Sequence, residues 1–465
     1  MYNGNIVAGM NRSGNVSRSS EQWTTKLGFI LATAGSAIGL GAIWKFPYMV
    51  GTSGGGAFFF IFLLFTVFIG MPILLAEFVI GRGSQKDAIG AYQHYAPNSN
   101  WHAIGILGMI GSFILLSFYS VIGGWILLYL IQTIIGNLSG LTEAEYGQMF
   151  TEIIANPLYA VGAQGLFMFL TIYVVARGVQ RGIERASKIM MPALFIAFLI
   201  LIIRSLTLDN ISDGLTFFLY PNFENMTSDT ILFALGQSFF SISVGASVMV
   251  TYSSYLGKNE DLPKSALTIV LMNVLISLLA GLAIFPAVFS FGFEPTEGPG
   301  LLFIVLPAVF AQLPFGTFFL FTFLILFLFA TLTSAFSMLE IIVASVTKGD
   351  RMKRKKVSWL TGLGIFIVGI PAALSYGALE EFTLFNLTMF DLSDFLVSNI
   401  ILPVGALSIA IFVGFKIPRK ELVKEVKAGS SLGVRIFSLW YLLMKYIAPI
   451  SIIIVFLDSL GIISF

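Results

Sequence analysis

The sequence predicts an all-α membrane protein of about eleven spanning helices, the first and sixth of them broken midway. Three observations predict it. Of its 465 residues 57% are hydrophobic and 11% charged, against about 25% charged in soluble domains, and mean hydropathy is +0.91. Apolar runs of spanning length recur along the whole chain. Two of those runs carry, at mid-length, glycines and hydroxyl residues that a plain membrane anchor does not need.

Taken in order, the first twenty residues are polar and lack the apolar core and cleavage site of a signal peptide, so 1–22 is expected to be a cytoplasmic tail. Spanning runs follow near 26–50, 57–81, 103–135, 158–176, 188–206, 230–256, 264–290, 316–347, 357–377, 390–414 and 436–460. They divide into a five-helix set over 23–206, a second over 230–414, and a remainder, 415–465, with a loop and the eleventh helix. Alternate connections hold the cations: Arg82 and Lys86, then Arg177, Arg181, Arg185 and Lys188, then Lys258 and Lys264, then the basic run Lys348 to Lys356, and finally Lys416 to Lys427. The opposite connections hold acids such as Glu143, Glu152, Asp213, Asp229, Glu294 and Glu381. By the positive-inside rule the N-terminus is cytoplasmic and, with an odd span count, Phe465 lies outside a plasma (inner) membrane.

Absences narrow the chemistry. Without cysteine there is no disulfide and no thiolate metal site, and the two histidines, His94 and His102, lie at a cytoplasmic connection with no carboxylate pattern around them. No nucleophile–base or metal constellation falls at one depth, so an enzyme is not expected, and a net charge of +2 is not a nucleic-acid signature. No connection is long enough to bury its own core, which leaves function inside the bilayer.

The first interrupted segment is Gly35 to Pro47, with three glycines and Lys45 inside an apolar run. In hydrocarbon an unpaired N–H or C=O is costly, so a broken helix is tolerated only where its backbone faces protein or a watery cavity. The same glycines would equally serve as a small-xxx-small packing face, with Pro47 as a simple kink. Five spans later Gly236 to Ser247 interrupts a second run, and its serines would equally bond back to their own helix. Two such segments, each heading five spans, match inverted-repeat transporters, which bind substrate and ions between broken helices.

Trp23 with Leu27 to Ala32, Gly35 to Pro47, Gly54 to Phe58, Pro72 to Glu77, Gly81-Arg82, Gln237 to Ser243 and Ala330 to Ser334 together carry a resemblance. From about residue 20 to 460 the chain resembles the neurotransmitter:sodium symporter family, and its eleven spans resemble the bacterial amino-acid transporters of that family. The resemblance implies the 5+5 inverted-repeat fold of the bacterial leucine transporter and sodium-coupled import by alternating access.

It also implies sites. The second sodium site would comprise carbonyls of Gly35, Ile38 and Ala330 with hydroxyls of Thr333 and Ser334: five oxygens and no carboxylate, which suits a singly charged hard cation. Around the substrate would stand Ala37, Leu40, Gly41, Leu115, Tyr119, Phe240, Ser241, Ser243, Ala246, Ser334 and Met338. The amides of Leu40 and Gly41 and the Tyr119 hydroxyl would hold a carboxylate, and carbonyls of Phe240, Ser241 and Ser243 an ammonium. Gly39 occupies the position that is an aspartate in monoamine carriers, which points to an amino acid. Ala246 replaces a bulky aromatic of the leucine-type relatives, so a larger apolar or aromatic amino acid is expected.

The first sodium site is expected to be weakened: Ala37, Ser241 and Asn273 remain, but Ala42 stands where an asparagine ligand is usual. Of the usual chloride ligands Gln237, Ser241 and Ser277 are present and Phe62 replaces a tyrosine, so chloride is an open question while at least one sodium is expected. Lys45 and Asp394 align with the outer gate, bridged by water because lysine lacks the arginine fork. An inner ion pair would need Arg18 and Asp350, since the usual positions hold Ser20 and Lys348. The expected partners are an amino acid and the lipid bilayer. A carrier of another small zwitterion, and less so a channel, are the alternatives.

Overall fold

The computed structural model describes residues 21–463 except 210, 225, 294–299 and 431–432, so Arg18, Ser20, Glu294 and Phe465 lie outside the described residues. The first span is two helices, α1a (Lys26–Ala37) and α1b (Gly41–Thr52), bent by 53°. There follow α2 (Gly56–Ser84), α3 (Asn100–Ile134), α4 (Pro157–Ala176) and α5 (Val179–Ser205). The sixth span is α6a (Ser228–Ser241) and α6b (Val248–Ser254), of 14 and 7 residues, each too short to cross alone. Then come α7 (Leu262–Ser290), α8 (Gly316–Thr347), α9 (Arg351–Ala373), α10 (Met389–Lys416) and α11 (Val434–Ser459). Among the described residues nine helices are each long and apolar enough to cross a membrane, and α1 makes a tenth as a bent pair. The expected sixth crossing is the broken one.

Two boundaries move, and for a reason. The fifth helix, expected near 188–206, starts at Val179, because the charged stretch before it is helical. Glu184 is buried there and is satisfied by Lys188 (2.6 Å), the Thr24 amide (2.8 Å) and the Thr25 hydroxyl (3.1 Å). The basic run expected as a loop before 357 forms the first turns of α9 from Arg351, with Asp350 accepting from the Met352 amide at 3.0 Å as N-cap.

Both breaks have local causes. Ile38 leaves helical geometry at φ −84°, ψ 72°. A Cβ on Gly39 would stand 2.3 Å from Ser334 Oγ, so only glycine fits against α8. In the second break Ser243 (φ +54°), Gly245 (+95°) and Ser247 (+55°) are all left-handed. Two of these are not glycine and cost on the order of 1–2 kcal/mol each. Side chains offset that cost: Ser243 Oγ donates to the Ser36 carbonyl (3.1 Å), Ser247 Oγ and the Tyr92 hydroxyl lie 2.8 Å apart, and the Gly245 amide donates to the buried Glu77 of α2 (2.8 Å). Around the breaks, α3 packs on α8, α6b on α2, and α1a on α5, α7 and α8. The two unwound segments therefore meet in the middle of the bundle, tied to each other through Ser243 and Ser36.

Candidate substrate and ion site

Between the breaks lies a cavity of about 30 Å³. It is lined by Ala37, Leu40, Gly41, Leu115, Tyr119, Phe240, Ser243, Ala246, Ser334 and Met338, all expected from the sequence, together with Gly39. Ser241, also expected there, is not among the lining residues. Its hydroxyl donates to Asn273 Oδ1 (2.7 Å) and its carbonyl accepts from Asn273 Nδ2 (2.9 Å), so both its polar groups turn toward α7. Four lining residues were missed: Ser112, Val248, Ser337 and Leu402.

The polar inventory of this cavity is uneven. Ser334, Ser337 and Ser243 donate to Ser36, Ser334 and Ser36 carbonyls respectively. Tyr119, buried on α3, has a hydroxyl that makes no hydrogen bond of ordinary geometry among the described residues, with the Ser334 hydroxyl and the Leu40 backbone as its polar neighbours. A Cβ on Gly39 would come within 2.8 Å of the Tyr119 oxygen, so the bare glycine backbone packs directly beside that hydroxyl.

One turn away, toward α8, five oxygens converge. Thr333 Oγ1 lies within hydrogen-bond distance of the carbonyls of Gly35 (2.9 Å), Ala330 (3.0 Å) and Phe329 (2.9 Å), its one hydrogen serving any of them, and Ser334 Oγ lies 3.1 Å from the Gly35 carbonyl. Gly35 is required for this closeness, since its Cβ would be 2.9 Å from Thr333 Cβ. Ile38 is fully buried at the end of the same unwound turn. The donor set is neutral, hard and carboxylate-free, the chemistry that fits a sodium ion.

Across α6a the set is thinner. Asn273 and Ser241 bond each other, while Ala42 is fully buried and contributes no side-chain oxygen. Gln237 Nε2 donates to the Gly41 carbonyl (2.7 Å), and Gln237 Oε1 and Ser277 Oγ are buried without partners. Phe62 is fully buried and packs on Phe46 at 4.9 Å between ring centroids.

At the far end of the bundle Lys45 and Asp394 line a cavity of about 190 Å³, which shares Leu40 and Phe240 with the central one. Those two side chains are the partition. No ion pair within 4.0 Å joins Lys45 to Asp394 among the described residues; Lys45 Nζ sits 4.6 Å from the Phe240 ring centroid and Asp394 accepts from Ser398 Oγ at 2.8 Å. At the N-terminal end Asp350 pairs with Lys353 (3.4 Å), and its expected partner Arg18 is outside the described residues. A different closure is seen there. Glu21 lies 3.7 Å from Arg351 and 3.9 Å from Arg354, Arg354 forms a buried pair with Glu340, and the Tyr255 hydroxyl donates to Glu340 at 2.7 Å. Two residues on, Trp23 Nε1 donates to the Tyr252 carbonyl at 2.8 Å. Its sequence signals were an acid two residues before Trp23, to which the sequence reading gave no role, and two cations within the basic run, read only as markers of sidedness.

Comparison with known proteins agrees with this architecture. The chain matches the model of the sodium:neurotransmitter symporter family over residues 20–146 and 160–464. It is 59% identical to the sodium-dependent transporter YhdH of Bacillus subtilis, over 96% of this chain and 98% of that protein. To a sodium-dependent transporter of Haemophilus influenzae it is 36% identical, over 95% and 99% of the two chains. A crystal structure of MhsT in complex with L-phenylalanine superposes with a TM-score of 0.87 at 42% identity, covering 94% of this chain and 99% of that one. Matched by the family model over most of its length and by full-length relatives that are sodium-dependent transporters, the chain belongs to the sodium:neurotransmitter symporter family and is a sodium-dependent transporter.

Proposed function

We propose that this transporter imports an amino acid, of larger apolar or aromatic type, in symport with sodium. The observation that carries the reading is the buried hydroxyl of Tyr119, which makes no hydrogen bond of ordinary geometry and lies against the bare backbone of Gly39 and beside Leu40. The start of α1b at Leu40 and Gly41 faces the same cavity. Helix N-termini present free N–H groups and a partial positive charge, so the two amides and the hydroxyl make a cradle for a carboxylate. An aspartate at Gly39, which would supply a counter-charge for a bare amine, has no room. L-Phenylalanine bound in MhsT agrees with an amino-acid ligand. Ala246 and the adaptable Met338 leave the side-chain end free to widen, and widening is required because about 30 Å³ holds roughly one water.

Sodium binds at Gly35, Ile38, Ala330, Thr333 and Ser334, and when it binds the two hydroxyl hydrogens rotate away from the carbonyls they now serve. A second cation at Ala37, Ser241 and Asn273 is weaker for want of an oxygen at Ala42. Chloride dependence is weak or absent: of Gln237, Ser241 and Ser277, the Ser241 hydrogen is given to Asn273 and one Gln237 N–H to Gly41. In this reading 23–206 and 230–414 are the two inverted repeats, the N-terminus is cytoplasmic and the C-terminus outside the plasma membrane. Lys45 and Asp394 border the outer vestibule, and Glu21 with Arg351 and Arg354 latches the inner side. A channel reading fares worse, because the polar route pinches to about 30 Å³ at mid-bundle. Binding competition tests the proposal. Amino acids are expected to displace a bound amino acid at least tenfold better than their decarboxylated amines; equal competition by the amines would remove the carboxylate cradle.

A further inference from the structure

Among the described residues lining the central cavity, the buried hydroxyl of Ser112 has no hydrogen-bond partner, and that of Tyr119 makes no hydrogen bond of ordinary geometry. Both residues lie on α3, seven positions and so two turns apart, on one face of the helix, with their Cα atoms about 10 Å apart along its axis. Ser117 and Ser120, on the same helix, give their hydrogens to the carbonyls of Ile114 (2.7 Å) and Ser117 (2.9 Å), the ordinary outlet for a helical serine. Ser112 is fully buried and does not take that outlet. Its end of the cavity is otherwise apolar, with Leu115, Ala246, Val248, Met338 and Leu402, and the one other hydroxyl there, Ser337, already donates to the Ser334 carbonyl and accepts from Ser36 (2.6 Å). One turn back from Ser112, a Cβ on Gly108 would come within 2.3 Å of the Ala246 carbonyl, so α3 lies hard against the α6 break where Ala246 leaves space.

We infer that Ser112 reads the tip of the substrate side chain, and that the preferred substrate is an aromatic amino acid whose ring ends in a hydrogen-bonding atom, a para-hydroxyphenyl group being the fitting case. This rests on the amino-acid reading above, which puts the carboxylate at Tyr119. From there a ring in the apolar segment points its para position along α3 toward Ser112. A serine hydroxyl can donate or accept, so it pairs with a phenolic O–H either way. A side chain without a polar tip leaves Ser112 buried and unpaired, and sites built this way discriminate strongly against the analogue that lacks the group.

The test uses the full chain in detergent or nanodiscs with sodium, measuring equilibrium binding of L-tyrosine, L-phenylalanine and 4-methyl-L-phenylalanine. L-Tyrosine is expected to bind about tenfold tighter than L-phenylalanine, the 4-methyl compound, matched in size, to gain nothing, and Ser112→Ala to bring the tyrosine-to-phenylalanine ratio to about one. Phenylalanine binding by the variant reports that it is folded. A ratio near one in the native protein, an equal gain from the 4-methyl group, or a ratio unmoved by Ser112→Ala overturns the inference, as expected if Ser112 is served by water. Absence of sodium-dependent binding by all three compounds and every other amino acid would overturn the amino-acid reading instead.

Discussion

Replacing Tyr119 with phenylalanine removes one oxygen that the folded protein does not use and the substrate is proposed to need. The two consequences have opposite signs. In the protein without amino acid, the hydroxyl is buried and makes no hydrogen bond of ordinary geometry among the described residues. Removing an unsatisfied buried group spares a penalty of about 1–3 kcal/mol, so Tyr119→Phe is expected to be neutral or stabilising. With amino acid bound, the variant forfeits a hydrogen bond to a carboxylate, about 1.5–3 kcal/mol or roughly tenfold to a hundredfold in affinity. Thermal unfolding in detergent with sodium reads both. At an amino-acid concentration about 100 times the native Kd, ligand adds roughly 2.7 kcal/mol to the native protein. A tenfold loss of affinity cuts that to about 1.4 kcal/mol. Loss of baseline stability in Tyr119→Phe with an undiminished ligand shift would refute the reasoning, because it would make the hydroxyl structural.

Thr333→Val with Ser334→Ala is expected to abolish sodium-dependent uptake, and sodium-dependent thermal stabilisation checks it in the purified protein; an unchanged sodium response would dismiss that site. Uptake is expected to show a sodium Hill coefficient near one and little loss in gluconate medium, whereas Ala42→Asn is expected to add cooperativity. A coefficient near two in the native protein would count against the weakened first site. Glu21→Gln is expected to loosen the inner closure: partly exposed pairs are worth about 0.2–1 kcal/mol, so labelling of a Ser254→Cys reporter, clean because the chain has no cysteine, should quicken up to about fivefold. An unchanged labelling rate would leave Glu21 no role in that closure.

The parts that were legible in the sequence are those where the membrane enforces a rule. Glycines at 35, 39 and 41 and serines at 241, 243 and 247 stand out because hydrocarbon penalises loose backbone, and both breaks fall on them. The residues of the cavity came from family resemblance rather than periodicity, and ten of the eleven line it. What was missed depends on contacts between distant segments. Glu77 meets the Gly245 amide 168 positions away, and Glu21 meets Arg351 and Arg354 across more than three hundred residues. Ser112 looks like any serine in an apolar helix until its surroundings are known. The early start of α5 was hidden because the cations from Arg177 to Lys188 read as loop charges, although Lys188 pairs with Glu184 within the helix.

Coupling is the central claim, and uptake into proteoliposomes under an imposed sodium gradient tests it most directly. Vesicles loaded with potassium and diluted into sodium with a labelled aromatic amino acid should accumulate it transiently above its outside concentration, and dissipating the sodium gradient with an ionophore should abolish the overshoot. Uptake that only equilibrates, at the same rate in sodium as in potassium, would contradict sodium-coupled symport of an amino acid by this protein.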